Sequence, residues 1–126
     1  MLGSTTPERV PVAHPHTYEL GDADGVGLAV TDAVVLPDGR TLLSAAAEDT
    51  PNAVDDGPVV ATALVLLDGK DVRDVAPIPE VGGRVHKVEG LALRDVRGSE
   101  VHLLAVVDDD DPTRPSAALR LRAVLD

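Results

Sequence analysis

The sequence predicts an all-β fold made of antiparallel repeats, and three observations support this class. The segment 41–49 nearly returns as 101–109, and such self-similarity is typical of stacked supersecondary units. The apolar residues are Val, Leu and Ala, with no Phe or Trp and one Tyr, so the core is aliphatic. Turn residues separate short apolar segments of strand length. These candidate strands are 33–36, 41–47, 58–67, 72–78, 88–93, 101–107 and 117–125.

The first 20 residues predict a loose arm, with a closing strand as the alternative, because prolines stand there among small polar residues. The next segment, Asp22-Ala23-Asp24-Gly25, resembles the start of an EF-hand calcium loop. A complete loop would need a third acidic or amide ligand before Gly25 and a Glu six residues past it, and the sequence has neither. This segment therefore predicts a tight turn.

Three turn signals predict hairpins. Pro37-Asp38-Gly39-Arg40 lies between two apolar runs, and Leu67-Asp68-Gly69-Lys70 repeats the arrangement. A third hairpin joins 88–93 to 101–107 through the loop 94–99. The pattern predicts that strands adjacent in sequence are also adjacent in the sheet.

The composition of individual strands adds detail. The Ala-rich run Ser44–Ala47 could be helical, but a helix this short does not persist, so a strand is favoured. The run 59–67 is apolar on both period-two faces, with Thr62 as its one polar residue, which predicts a strand covered on both sides. In the last strand, Leu119 and Leu121 alternate with Arg120 and Arg122, which predicts one buried face and one solvated face.

Four antiparallel strands in each repeat suit a β-propeller blade. The chain then divides into an arm (1–20), a first blade-like repeat (21–80) and a second, incomplete repeat (81–126). About two blades do not close a propeller, so the partner is expected to be a second copy of the chain or the remainder of a longer propeller. The alternative is a small two-sheet sandwich in which the repeat is incidental.

Composition excludes several classes of function. The net charge of −11 opposes binding to nucleic acid or to an anionic membrane surface. No apolar run is long enough to span a membrane, and the N-terminal end does not resemble a secretion signal, so a cytoplasmic location is expected. The absence of Cys excludes disulfides and thiolate chemistry. Neither a nucleophile motif nor a phosphate-binding loop is present.

Carboxylates cluster at predicted strand ends and give the candidate site. Converging carboxylates repel one another unless a hard cation or a shared proton intervenes. Calcium or magnesium is therefore the candidate ion, with Ca2+ favoured as the cofactor and Glu48, Glu89 and Asp108 as its ligands. The alternatives are solvated acidic loops and, for Lys87, surface ion pairs. The predicted ligand-binding residues are Glu48, Asp49, His86, Lys87, Glu89, Asp108 and Asp109.

Four strings carry a resemblance to a known group: 47–50 (AEDT), 56–58 (DGP), 87–91 (KVEGL) and 107–112 (VDDDDP). They resemble uncharacterised actinobacterial β-propellers of unknown function and, more distantly, phytase-like or esterase-like propellers. The resemblance covers residues 20–126. It implies that the acidic motifs face the central channel of a propeller.

Two functional hypotheses follow. The first is a binding or interaction module whose acidic face captures a divalent cation or a small polar ligand. The second is a phytase-like or esterase-like hydrolase in which bound calcium polarises a phosphate ester and activates water. A non-catalytic fragment of a longer propeller is the remaining alternative.

Overall fold

Eight β-strands form the regular structure of the chain in a computed structural model that describes residues 17–49, 58–108, 113 and 117–125. The strands are β1 (Asp22–Ala23), β2 (Val26–Val35), β3 (Thr41–Glu48), β4 (Val59–Asp68), β5 (Asp71–Pro77), β6 (Val88–Arg97), β7 (Glu100–Val107) and β8 (Ala117–Val124). All strand pairs are antiparallel. The predicted all-β antiparallel class is therefore confirmed. The described part of the chain holds no helix long and apolar enough to cross a membrane.

The strands divide into two sheets in chain order. Sheet 1 is β1-β2-β3-β4-β5, and sheet 2 is β6-β7-β8. Each strand pairs with its neighbours in sequence, so neither sheet contains a crossover. Two antiparallel sheets formed one after the other are consistent with partial propeller blades. The limits of the predicted repeats, 1–20, 21–80 and 81–126, stay a prediction.

Local turn chemistry explains the hairpin between β2 and β3. The Leu36 N–H donates to the Arg40 carbonyl at 2.7 Å, and the Gly39 N–H donates to the Leu36 carbonyl at 2.9 Å. Gly39 has a φ of 91°, a conformation that is costly for residues with a Cβ. The Arg40 backbone N–H donates to Asp38 at 3.0 Å and its Nε at 2.8 Å, and these bonds lower the pKa of the Asp38 carboxyl. The predicted hairpin is confirmed.

The segment between β1 and β2 is also a tight turn, as its sequence predicts. Asp24 and Gly25 have φ values of 52° and 77°. Two consecutive positive φ angles are characteristic of the two-residue turns that match the twist of antiparallel strands.

Two strands are longer than the sequence predicts because each contains β-bulges. β2 begins at Val26, and its register shifts between Val30 and Asp32. β6 passes through a shift between Leu93 and Asp95 and continues to Arg97. The predicted loop 94–99 is therefore wrong, and residues 98 and 99 alone form the turn. A bulge adds one residue to a strand and so interrupts the alternation on which the prediction relied.

Aliphatic side chains fill two separate cores, one on each face of sheet 1. The first core lies between the sheets and joins Leu42 and Leu66 of sheet 1 to Leu91 and Leu103 of sheet 2. The second core lies on the opposite face of sheet 1. It contains Leu43, Ala45, Val65 and Leu67, with Leu20 and the ring of Tyr18 packed against them.

β4 contributes to both cores, as the apolar residues on both of its faces predict. Leu64 and Leu66 pack in the first core, whereas Val65 and Leu67 pack in the second. β8 behaves differently, because Leu119 and Leu121 pack against the first core while the intervening arginines are exposed. The predicted burial of β4 on both faces is confirmed, whereas the apolar face of β8 is only half-buried.

The sheets come closest where β6 lies against β2 and β3. At this place the Asp32 Oδ2 accepts a hydrogen bond of 2.6 Å from the backbone N–H of Leu91. The preceding bulge residue, Thr31, bonds through its Oγ1 to the buried Ser44 Oγ at 2.7 Å. The bulge in β2 therefore coincides with a polar connection between the two sheets.

Asp32 and Glu89 each precede an apolar run in the sequence, but they do not occupy equivalent positions in their sheets. Asp32 lies opposite Ser44, in the interior of β3. Glu89 instead lies at a bulge beside Val107 and Val106, at the end of β7. Asp32 lies three residues before the end of β2 at Val35, whereas Glu89 lies eight residues before the end of β6 at Arg97, so the two positions differ in height along their sheets.

We expect Asp32→Ala to lower the free energy of unfolding by about 1.5–3 kcal/mol, because it leaves the Leu91 N–H of the sheet junction without its charged acceptor. Asp32→Asn keeps a carbonyl oxygen and should lose less. The measurement is urea unfolding at neutral pH. Asp74→Ala is the control, since that exposed carboxylate bonds to the next residue's N–H. Equal losses for Asp32→Ala and Asp74→Ala would contradict the assigned role.

Candidate functional site

Lys87 is at the centre of the predicted acidic site. Its Nζ lies 2.6 Å from Glu48 Oε1 and 3.5 Å from Glu89 Oε1. Glu48 ends β3 in sheet 1, whereas Glu89 belongs to β6 in sheet 2. The side chains of Lys87 and Glu48 are 21% and 26% exposed, so water screens this ion pair only in part. Lys87 therefore links the two sheets electrostatically and offsets the carboxylate charge.

The other predicted site residues lie in different surroundings. The backbone N–H of Asp108 donates to the Lys87 carbonyl at 3.2 Å, which holds Asp108 beside the cluster. The Asp49 N–H donates to the Pro58 carbonyl at 2.9 Å. His86 Nε2 lies 3.0 Å from the Val81 carbonyl oxygen. Asp109 is outside the described residues.

The predicted metal ligands do not form a ready cation site. Within 17–49, 58–108, 113 and 117–125, no group of three His, Cys, Asp or Glu side chains is arranged to hold a metal ion. Glu48 and Glu89 instead share the ammonium of Lys87. A cation at this place would compete with that ammonium. The assignment of Ca2+ to Glu48, Glu89 and Asp108 stays a prediction.

A cleft of about 760 Å³ lies between the two sheets on the side of β5 and β8. Because the sheets are closest at β2 and β6, they form a wedge that opens toward these outer strands. Leu64 and Leu66 of β4 line one wall, and Leu121 and Ala123 of β8 line the other. Ile78 lies beyond the end of β5 and also faces the cleft.

Charged residues surround the apolar walls of the cleft. Arg40 and Arg73 lie at the sheet 1 side, together with Asp68 and Asp74. Arg73 Nη2 is 3.6 Å from Asp68 Oδ2, with both side chains more than half exposed. Apolar walls with a few charged groups at the rim suit an amphipathic ligand, and the volume is within the usual range of ligand pockets.

Sequence reasoning identified the strands that bound this cleft but not the cleft itself. The prediction placed function on the acidic loops, because carboxylate clusters are visible in a sequence and a gap between sheets is not. The useful signal was the alternation of Leu and Arg in β8, which marks a strand with one apolar face. This strand lines a cleft because β8 is the last strand of sheet 2 in the part of the chain that the structure describes, and the alternation alone does not reveal that position.

Fold and site together define a class: an all-β chain of two antiparallel sheets that diverge around an apolar cleft. The chain belongs to a family of unknown function (DUF6910), whose family model matches residues 1–112. The matched stretch ends before β8, so one wall of the cleft lies outside it. Comparisons with curated proteins and with solved structures give no match.

A double-mutant cycle tests the cross-sheet ion pair of the acidic cluster. We expect Glu48→Gln and Lys87→Met to couple by about 1 kcal/mol in urea unfolding, because their short contact is only partly screened by water. The coupling should decrease as salt is added. Asp71→Asn with Arg73→Met is the matched control, since that pair is 3.9 Å apart and well exposed. Additive effects of the Glu48 and Lys87 substitutions would show that the ion pair contributes nothing to stability.

Proposed function

We propose that the chain is a non-catalytic binding module and that its ligand site is the cleft between the two sheets. The observation that supports this proposal is the cleft of about 760 Å³, with aliphatic walls and a charged rim. Leu64, Leu121 and Ile78 contribute apolar surface that the first core leaves partly accessible. Covering this surface with an apolar group would remove it from water, which is the main source of affinity in such pockets.

The proposal also extends to the larger assembly. Each sheet acts as a partial propeller blade, and further blades come from other copies of the chain or from a longer protein. The antiparallel order of both sheets and the contact between β2 and β6 support this arrangement. The relation to actinobacterial and phytase-like propellers stays a prediction, as does the cytoplasmic location.

Filling the cleft tests the proposed binding site. We expect an anilinonaphthalene sulfonate dye to bind the folded chain with increased fluorescence, because the dye joins apolar rings to one anionic group. Ala76→Trp should weaken the binding about tenfold or more, because Ala76 is exposed in the wall of the cleft and the indole would occupy it. A fluorescence titration at constant protein concentration measures both affinities.

Ala29→Trp is the matched control, since Ala29 is also exposed on a strand but does not line the cleft. The native chain has no Trp, so the emission of the introduced indole reports whether each variant is folded. Equal dye affinity in the two variants would contradict a ligand site in the cleft.

The acidic cluster is the second candidate, because Lys87 brings Glu48 and Glu89 together. Capture of a divalent cation or a small polar ligand at this place would require the Lys87 ammonium to be displaced from the two carboxylates. A calcium-dependent hydrolase would need the same cation site to polarise its substrate and activate water. That activity therefore stays a prediction that depends on calcium binding.

Thermal unfolding at increasing Ca2+ concentration tests whether the acidic cluster binds a divalent cation. We expect millimolar Ca2+ to leave the Tm of the native chain unchanged, because the Lys87 ammonium already offsets the charge of Glu48 and Glu89. In Lys87→Met, Ca2+ should raise the Tm, since a ligand that binds only the folded state stabilises it. A rise in the native chain that Asp108→Asn abolishes would instead support the predicted calcium site.

A further inference from the structure

We infer that the cleft binds an extended peptide that adds to the open edge of β8 as a further strand of sheet 2. Its apolar side chains would face the cleft, and acidic side chains would alternate with them on the opposite face, beside Arg120 and Arg122. This inference rests on the proposed binding function and specifies the class of ligand.

The first support is the backbone edge of β8 that faces away from β7, where no other strand of the described residues pairs. Its register with β7 contains no bulge, and the Leu125 N–H donates to the Ser99 carbonyl at 2.7 Å. In an antiparallel ladder, hydrogen-bonded residue pairs alternate with non-bonded pairs. The N–H and C=O groups of every second residue of β8 therefore point away from β7. These residues are Ala118, Arg120, Arg122 and Val124.

The second support is that β8 has one fewer neighbouring strand than β4 among the described residues. In sheet 1, β4 is flanked by β3 and β5, whereas in sheet 2 β8 pairs only with β7 among the described residues. The cleft lies along the unpaired side of β8, where residues 120–125 line it. An added strand would satisfy the backbone groups at this edge and place every second side chain in the cleft.

The third support is the distribution of charge across β8. Leu119, Leu121 and Ala123 pack toward the first core, so Arg120 and Arg122 project from the opposite face. Arg122 Nη1 is 3.8 Å from Glu100 Oε1, with the arginine side chain 66% exposed. Arg120 makes no ion pair within the described residues. Opposite charges on adjacent strands attract across a sheet, so acidic residues are favoured beside these arginines.

Arg122 also lies opposite His102 in the register of β7 and β8. His102 Nε2 is 3.3 Å from Glu100 Oε1, so one carboxylate is shared by two basic side chains. This face of sheet 2 carries Arg97, Arg120 and Arg122 against Asp95 and Glu100, a small positive excess in a chain whose net charge is −11. The overall negative charge of the chain favours cationic peptides. A preference for acidic peptides would therefore have to come from the arginines of β8.

The probe is a fluorescein-labelled peptide that alternates Glu and Val and is as long as β8, which has 8 residues. We expect fluorescence anisotropy to show saturable binding to the native chain. A peptide with Lys in place of Glu is the matched control and should bind about tenfold more weakly. Equal affinity for the two peptides, or a preference for Lys, would overturn the inference.

N-methylation of the peptide backbone tests strand addition directly. Methyl groups on alternate residues block only the N–H groups that point to one side of a strand. One methylated series should abolish binding, while the complementary series, whose blocked N–H groups face away from β8, should bind like the parent peptide. Equal behaviour of the two series would exclude backbone pairing with β8.

Variants of the chain locate the binding site. Arg120→Glu combined with Arg122→Glu should reverse the preference between the Glu and Lys peptides and leave the thermal unfolding midpoint nearly unchanged, because both side chains are exposed. Ala76→Trp should block peptide binding, and Ala29→Trp should not. An unchanged peptide preference in the double arginine variant would place the peptide elsewhere and overturn the inference.

The outcomes separate this inference from the proposed function. If the dye binds the cleft and the Glu-Val peptide does not bind the chain, the binding module stands and the peptide inference fails. If neither binds, both fail. If sedimentation shows that the chain self-associates and that the double arginine substitution abolishes this, a second copy occupies the edge, which also overturns the peptide inference.

Discussion

The contact of β6 with β2 is the constraint on which the rest of the structure depends. β6 is an edge strand of sheet 2, and its Leu91 N–H faces sheet 1 at a largely buried position. A buried N–H without an acceptor is costly, and the Asp32 carboxylate supplies that acceptor across the junction. This requirement fixes the distance between the sheets on one side only. The opposite side can diverge, and the cleft is the result.

The aliphatic composition limits how much of the space between the diverging sheets the side chains can fill. Small residues occupy the centre of β3, where Ala45, Ala46 and Ala47 are almost fully buried, so strands and sheets can approach closely there. Toward β5 and β8 the gap is wider, and Leu, Val and Ala are too short to bridge it. Phe and Trp, which are absent, are the side chains that commonly fill such space. The core is therefore well packed near the junction and open at the outer strands.

Much of the fold could be predicted from the sequence because its signals are local. The turn Pro37–Arg40 and the two-sided burial of β4 follow from residue type and periodicity. The length of β6 could not be predicted, since a bulge at Arg94 interrupts the alternation. The site was harder, because Asp32 and Lys87 derive their roles from contacts between sheets. A sequence shows which residues are acidic, but only the packing shows which of them share one ammonium.

The arginines of β8 have a consequence for how the chain avoids aggregation. An unpaired strand edge is a template on which identical edges can stack, and proteins commonly protect such edges with charge. Arg120 and Arg122 occupy successive outward positions of β8, so two β8 edges brought side by side would place like charges opposite one another. Growth of a fibre through this edge is thereby disfavoured. An edge that no other described strand covers is thereby kept from recruiting copies of itself.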